Sequence, residues 1–122
     1  MIIENNTIGN NNTATGASSL LSNITGNNNT ATGIYALTTN LSGSGNTATG
    51  RGSLNGNTIG NNNTANGANT LSSNADGNFN VAIGFTSMLT NTSGSNNVAT
   101  GTSSLYLNTI GNFNTSYGTT SL

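Results

Sequence analysis

Apolar residues are sparse in this chain, and they recur at a fixed interval. Leu20, Leu37, Leu54, Leu71, Met88, Leu105 and Leu122 stand 17 residues apart. Ala14, Ala31, Ala48, Ala65, Ala82 and Ala99 form a second row with the same spacing, which Ser116 continues. A fixed period of this length marks a stacked repeat. Around each Ala the polarity alternates, as in Thr13-Ala14-Thr15, and such alternation predicts a short strand. No segment has the 3.6-residue spacing of a helix, and Gly and Asn interrupt every window long enough to form one.

The whole chain, 1–122, reads as a single repeat domain. Residues 1–8 form a partial leading coil. Units then start at Gly9, Gly26, Gly43, Gly60, Gly77, Gly94 and Gly111, with no insertion or deletion. Numbered from that glycine, position 8 is also always Gly: Gly16, Gly33, Gly50, Gly67, Gly84, Gly101 and Gly118. Two invariant glycines per unit predict two backbone sites that need a positive φ or a close approach. Position 4 is always Asn (Asn12, Asn29, Asn46, Asn63, Asn80, Asn97, Asn114), and so is position 15 in every complete unit (Asn23, Asn40, Asn57, Asn74, Asn91, Asn108). Identical Asn residues in register form amide ladders when coils stack. Two short strands and two corners per 17 residues make one coil of an all-β, parallel β-solenoid. Seven coils about 4.8 Å apart give a rod of roughly 34 Å.

Two assignments of the buried face follow from the alternation. In one, Ala at position 6 and Leu or Met at position 12 fill a thin core, and the flanking Thr residues point outward. In the other, positions 5 and 7 point inward, as Val81 and Ile83 suggest. Either way one coil is not self-sufficient: ordering its residues costs about 1–2 kcal/mol each, against about 1.5–3 kcal/mol from one buried Leu. Stability is therefore expected from stacking and from association with other chains. Residues 4–122 number 119, seven times the period, so the end of one chain would meet the start of another in register. Both a head-to-tail filament and an array cut at a repeat boundary fit this arithmetic, with Glu4 as a weak N-terminal cap.

Composition narrows the function. Asn, Thr, Ser and Gly supply 81 of the 122 residues, the charged residues are only Glu4, Arg51 and Asp76, and there is no His or Cys. No imidazole base, thiolate or ordinary zinc site is available, and the chain is expected to have neither catalytic activity nor cofactor. A single cation cannot neutralise a run of phosphates, so nucleic-acid binding is not expected. No run of residues is long and apolar enough for membrane insertion. The opening MIIENNTIGN has no basic n-region or apolar h-region, so this chain is expected to carry no signal peptide. Asp76 alone does not supply a calcium ligand per coil. A net charge of −1 leaves little repulsion between copies, a further reason to expect assembly.

Units such as GNNNTATGIYALTTNLS and GNFNVAIGFTSMLTNTS resemble the head repeats of trimeric autotransporter adhesins and the related repeats of bacteriophage tail fibres and bacterial surface proteins. The shared core is Asn80-Val81-Ala82-Ile83-Gly84 and its counterparts, followed by Leu or Met at position 12. The resemblance implies a left-handed β-roll and a homo-oligomer, commonly three chains side by side. It also implies an extracellular place on a cell surface, secreted fibre or phage virion, with a host surface or extracellular matrix as partner. Position 7 is usually apolar in that family. Here only Ile83 and Tyr117 comply, with Thr15, Thr32, Thr49, Thr100 and Asn66 elsewhere.

Three further features are candidates for function. Thr13, Thr15, Thr30, Thr32, Thr47 and Thr49 would form ranks like those of ice-binding proteins. Asn-x-Ser/Thr sequons occur at Asn5, Asn11, Asn23, Asn28, Asn40, Asn62, Asn91 and Asn114, as expected in a chain so rich in these residues. The aromatics Phe79, Phe85, Tyr106, Phe113 and Tyr117 gather in the C-terminal half, where they would mark a ligand or chain–chain contact.

Overall fold

The computed structural model describes residues 8–122. The expected leading coil, with Ile3, Glu4 and the sequon at Asn5, lies outside them apart from Ile8. Seven three-residue strands follow: β1 (Thr13–Thr15), β2 (Thr30–Thr32), β3 (Thr47–Thr49), β4 (Thr64–Asn66), β5 (Val81–Ile83), β6 (Val98–Thr100) and β7 (Thr115–Tyr117). They form one parallel sheet in sequence order. Thr13 pairs with Thr30 and Thr30 with Thr47, so each step along the sheet is one coil. The chain is a β-solenoid of stacked 17-residue coils.

Within each strand the middle residue is buried and its neighbours face out, with Thr13-Ala14-Thr15 the type. This settles the face. Ala at position 6 points inward and meets the Leu or Met of position 12 across a thin core. Ala fits because the coil is narrow, and a larger residue there would push the two walls apart. Leu20, Leu37, Leu54, Leu71 and Met88 are fully buried. Leu122, expected in the same row, is instead 82% exposed.

Among the described residues the expected second strand is not formed. Positions 9–14 run as consecutive turns. Their amides still bond to the next coil, as in Leu37 N–H to Ser53 O (3.0 Å) and Leu54 N–H to Thr70 O (3.0 Å). The backbone is not extended there, because positions 10 and 12 are left-handed: Tyr35 has φ 61° and Leu37 φ 51°. Alternating left- and right-handed residues bend the chain back toward the sheet within six residues, which an extended strand cannot do.

The two invariant glycines serve different ends. At position 8, Gly50 has φ 121°, and a Cβ there would lie 2.6 Å from the carbonyl oxygen of Gly67. At position 1, Gly43 needs no unusual φ, but a Cβ would meet Asn40 Oδ1 and Gly60 O at 2.4 Å. Replacing Gly50 by Ala adds backbone strain to a clash with backbone of the next coil. The expected loss is about 2–6 kcal/mol, read as a lower urea midpoint by circular dichroism.

Candidate functional site

The inner scaffold is made of side-chain amides. At position 15, Asn57 Nδ2 donates to Asn40 Oδ1 (2.8 Å) and to Gly60 O (3.0 Å), and its own Oδ1 accepts from Asn74 Nδ2 (2.9 Å). The same pattern runs from Asn23 through Asn91 to Asn108. At position 4, Asn29 Oδ1 accepts the backbone N–H of Asn46 (2.9 Å), and Asn29 Nδ2 donates to Gly43 O (2.8 Å). Asn12, Asn63, Asn80, Asn97 and Asn114 continue this second ladder. The ladders meet at the position-1 carbonyls: Gly43 O also accepts from Asn40 Nδ2 (2.9 Å). A carbonyl has two lone pairs, and both are used. Among the described residues no buried side-chain nitrogen or oxygen lacks a partner.

A third ladder is not among those expected from the sequence. At position 2, Asn27 N–H donates to Ser44 Oγ (3.0 Å), Ser44 N–H to Asn61 Oδ1 (2.9 Å) and Asn61 N–H to Asn78 Oδ1 (2.8 Å). Its signal is present, since every residue of that row is Asn or Ser. The alternation between the two hides it from a search for identity.

These ladders fix a rigid outer sheet face, and that face is divided. In coils one to three, Thr13, Thr15, Thr30, Thr32, Thr47 and Thr49 all point outward and are exposed. In coil five, positions 3, 5, 7 and 9 are Phe79, Val81, Ile83 and Phe85. Phe79 (58%) and Phe85 (56%) are more than half exposed, Ile83 is exposed too, and Val81 is half-buried. Coil six adds half-buried Val98, and coil seven adds exposed Phe113 and Tyr117. Tyr106 is separate: with Leu107, Ser103, Thr120 and Leu122 it lines an open depression of about 440 Å³ at the C-terminal end of the rod. A further exposed apolar row, Ile24, Leu41, Ile59 and Ile110, follows the corner at positions 16 and 17.

The remaining candidates fall apart. Asn23, Asn40 and Asn91 are buried in the position-15 ladder, so those sequons offer no accessible amide. Asn11, Asn28 and Asn62 are exposed at position 3 in left-handed backbone, the conformation that itself explains Asn there. Arg51 and Asp76 are exposed. Among the described residues no helix is long and apolar enough to cross a membrane. No family model matches this chain, and neither a curated protein nor a solved structure matches it.

Proposed function

We propose that this chain is a self-associating structural segment of an extracellular fibre, adhesin head or virion tail fibre, without catalysis. It would assemble as a side-by-side trimer or as a filament, and in that setting meet a host surface or extracellular matrix. The observation that carries the reading is the set of exposed aromatic and aliphatic side chains on coils five and seven. Phe79, Phe85, Phe113 and Tyr117 present on the order of 400–600 Å² of apolar surface, most of the ~800 Å² per partner in a standard interface. Ile83 and Val81 lie between the rings. A total of this size is at the upper end of what a monomer exposes, and such surfaces are often functional; with a net charge of −1 copies hardly repel one another.

The repeat supplies its own control. Coil one carries Asn11, Thr13, Thr15 and Ala17 where coil five carries Phe79, Val81, Ile83 and Phe85. The quadruple variant F79N/V81T/I83T/F85A therefore gives coil five a face the fold already accommodates. It is expected to keep the far-UV circular dichroism of the parent and to lose at least tenfold in association constant by analytical ultracentrifugation. A variant that assembles as the parent does, or a parent that stays monomeric at hundreds of micromolar, would overturn the reading.

A further inference from the structure

Three peptide bonds join an amide or carboxyl side chain to a following glycine: Asn55-Gly56, Asn66-Gly67 and Asp76-Gly77. Such pairs are open to an internal reaction, because glycine has no Cβ to keep the preceding side chain from its nitrogen. Asn55, Asn66 and Asp76 are all exposed. The glycine nitrogens differ. Gly56 N–H donates to Ser72 O (2.8 Å) and Gly67 N–H to Thr49 O (2.8 Å), each across a contact between coils. The carbonyls of the same peptide groups are held as well: Asn55 O accepts from Thr39 N–H (3.2 Å), and Asn66 O from Gly84 N–H (2.8 Å). These two groups become reactive only when a coil opens. Gly77 N–H makes no hydrogen bond among the described residues. The same amide in the flanking coils makes only long ones, Gly60 N–H to Ala75 O at 3.2 Å and Gly94 N–H to Thr109 O at 3.4 Å. Asp76 O meanwhile accepts from Asn78 Nδ2 (2.8 Å). A bond to the carbonyl draws electron density from the nitrogen of the same peptide group, which makes its N–H more acidic.

We propose that Asp76 is a site of self-modification, isomerising to isoaspartate in the folded chain, while Asn55 and Asn66 are protected. Gly77 N attacks Asp76 Cγ. A C–N bond forms, the N–H proton leaves with the carboxyl hydroxyl as water, and the product is a five-membered cyclic imide. Water then adds to one of the two ring carbonyls. Opening at the former side-chain carbonyl restores Asp76. Opening at the former main-chain carbonyl leaves the backbone running through Cβ and Cγ, with the main-chain carboxylate free. The order of reactivity is the reverse of that in an unfolded chain, where Asn-Gly reacts faster because an amide is a better electrophile than an ionised carboxylate. The product adds one carbon to the main chain between Asn74 and Asn78. Asn74 Nδ2 is bonded to Asn57 Oδ1 and Gly77 O, and Asn78 Oδ1 accepts from Asn61 N–H, so the ladders already fix both ends of the lengthened segment. Isomerised chains are therefore expected to unfold at a lower urea midpoint than fresh ones.

The test is peptide mapping of the intact chain after weeks at neutral pH and body temperature, with electron-transfer dissociation to tell isoaspartate from aspartate. In the folded parent, isoaspartate is expected to accumulate at position 76 while Asn55 and Asn66 keep their amides. In urea the order should reverse. Asp76→Asn places the same side chain before all three glycines, at an exposed position where Ser42 and Ser93 stand in other coils. Folded D76N, with the circular dichroism of the parent, should lose its amide at position 76 at least tenfold faster than at Asn55 or Asn66. In urea the three rates should converge. Equal rates at the three sites in folded D76N overturn the proposal. So does a parent whose position 76 isomerises in urea but stays aspartate when folded. The readout is a covalent change in the chain, so the result is independent of the assembly proposed above.

Discussion

Leu71→Asp is expected to abolish the cooperative unfolding transition and most of the far-UV β signal. Leu71 is fully buried in the middle of the position-12 row, among Leu54, Met88 and the Ala wall. Removing it forfeits about 2–5 kcal/mol of burial and packing. A carboxylate in its place has no cation to pair with, and an unpaired buried charge costs several kcal/mol more. Against a total of about 5–15 kcal/mol for a domain of ordinary stability, that is enough to unfold it. Backbone conformation argues the other way, which makes the test sharp. Leu71 has φ 51°, and Asp tolerates the left-handed region better than Leu does. If position 12 selected for backbone geometry, Leu71→Asn would stabilise the chain, as Asn serves at the left-handed position 3. The structure instead predicts that L71N is destabilised by several kcal/mol, while L71M, matching Met88, loses less than about 1.5 kcal/mol. A cooperatively folded L71D would overturn the assignment of the core.

Much of this architecture can be read from the repeat, because stacking turns one sequence rule into a row of contacts. The strand at positions 5 to 7, the parallel register and the Asn ladders at positions 4 and 15 all follow from identity every 17 residues. Alternation alone leaves open whether Ala14 or Thr13 and Thr15 face inward, since a thin core and a closely packed outer face both favour small residues. The second strand fails for a different reason. Leu at position 12 looks like a strand residue, yet Leu20, Leu37, Leu54, Leu71, Met88 and Leu105 are all left-handed, at φ 49–52°. That conformation costs about 1–2 kcal/mol for an L-residue, so propensity points away from it, and only burial in the completed stack offsets it. The division of the outer face into Thr and apolar halves is visible as composition. That both belong to one sheet requires the fold.

Asn57→Asp should be nearly as damaging as Leu71→Asp at neutral pH, and its pH dependence should show why. The side chains differ by one group, and the buried amide uses both of its ends. Asn57 Nδ2 donates to Asn40 Oδ1 and Gly60 O, while Asn57 Oδ1 accepts from Asn74. A carboxylate still accepts from Asn74 but has nothing to donate. It would set a negative oxygen against two carbonyl-type oxygens whose other neighbours are already fixed by the ladder. Asn40 Oδ1 is then left unpaired, at about 1–3 kcal/mol, and Gly60 O keeps only its bond from Asn46 Nδ2, before the cost of burying the charge. The protonated form of the introduced carboxyl keeps one donor and restores one of the two bonds. Folding therefore favours the protonated acid, and the folded-state pKa of that carboxyl lies above its unfolded value. The folded state then binds more protons than the unfolded state, so stability falls as pH rises through that interval. The variant is expected to approach the parent in urea midpoint near pH 3 and to fall well below it at pH 7, whereas the parent, with so few titratable groups, changes little. An N57D midpoint independent of pH would mean that the ladder does not hold its amides in the dry, fully bonded arrangement described above.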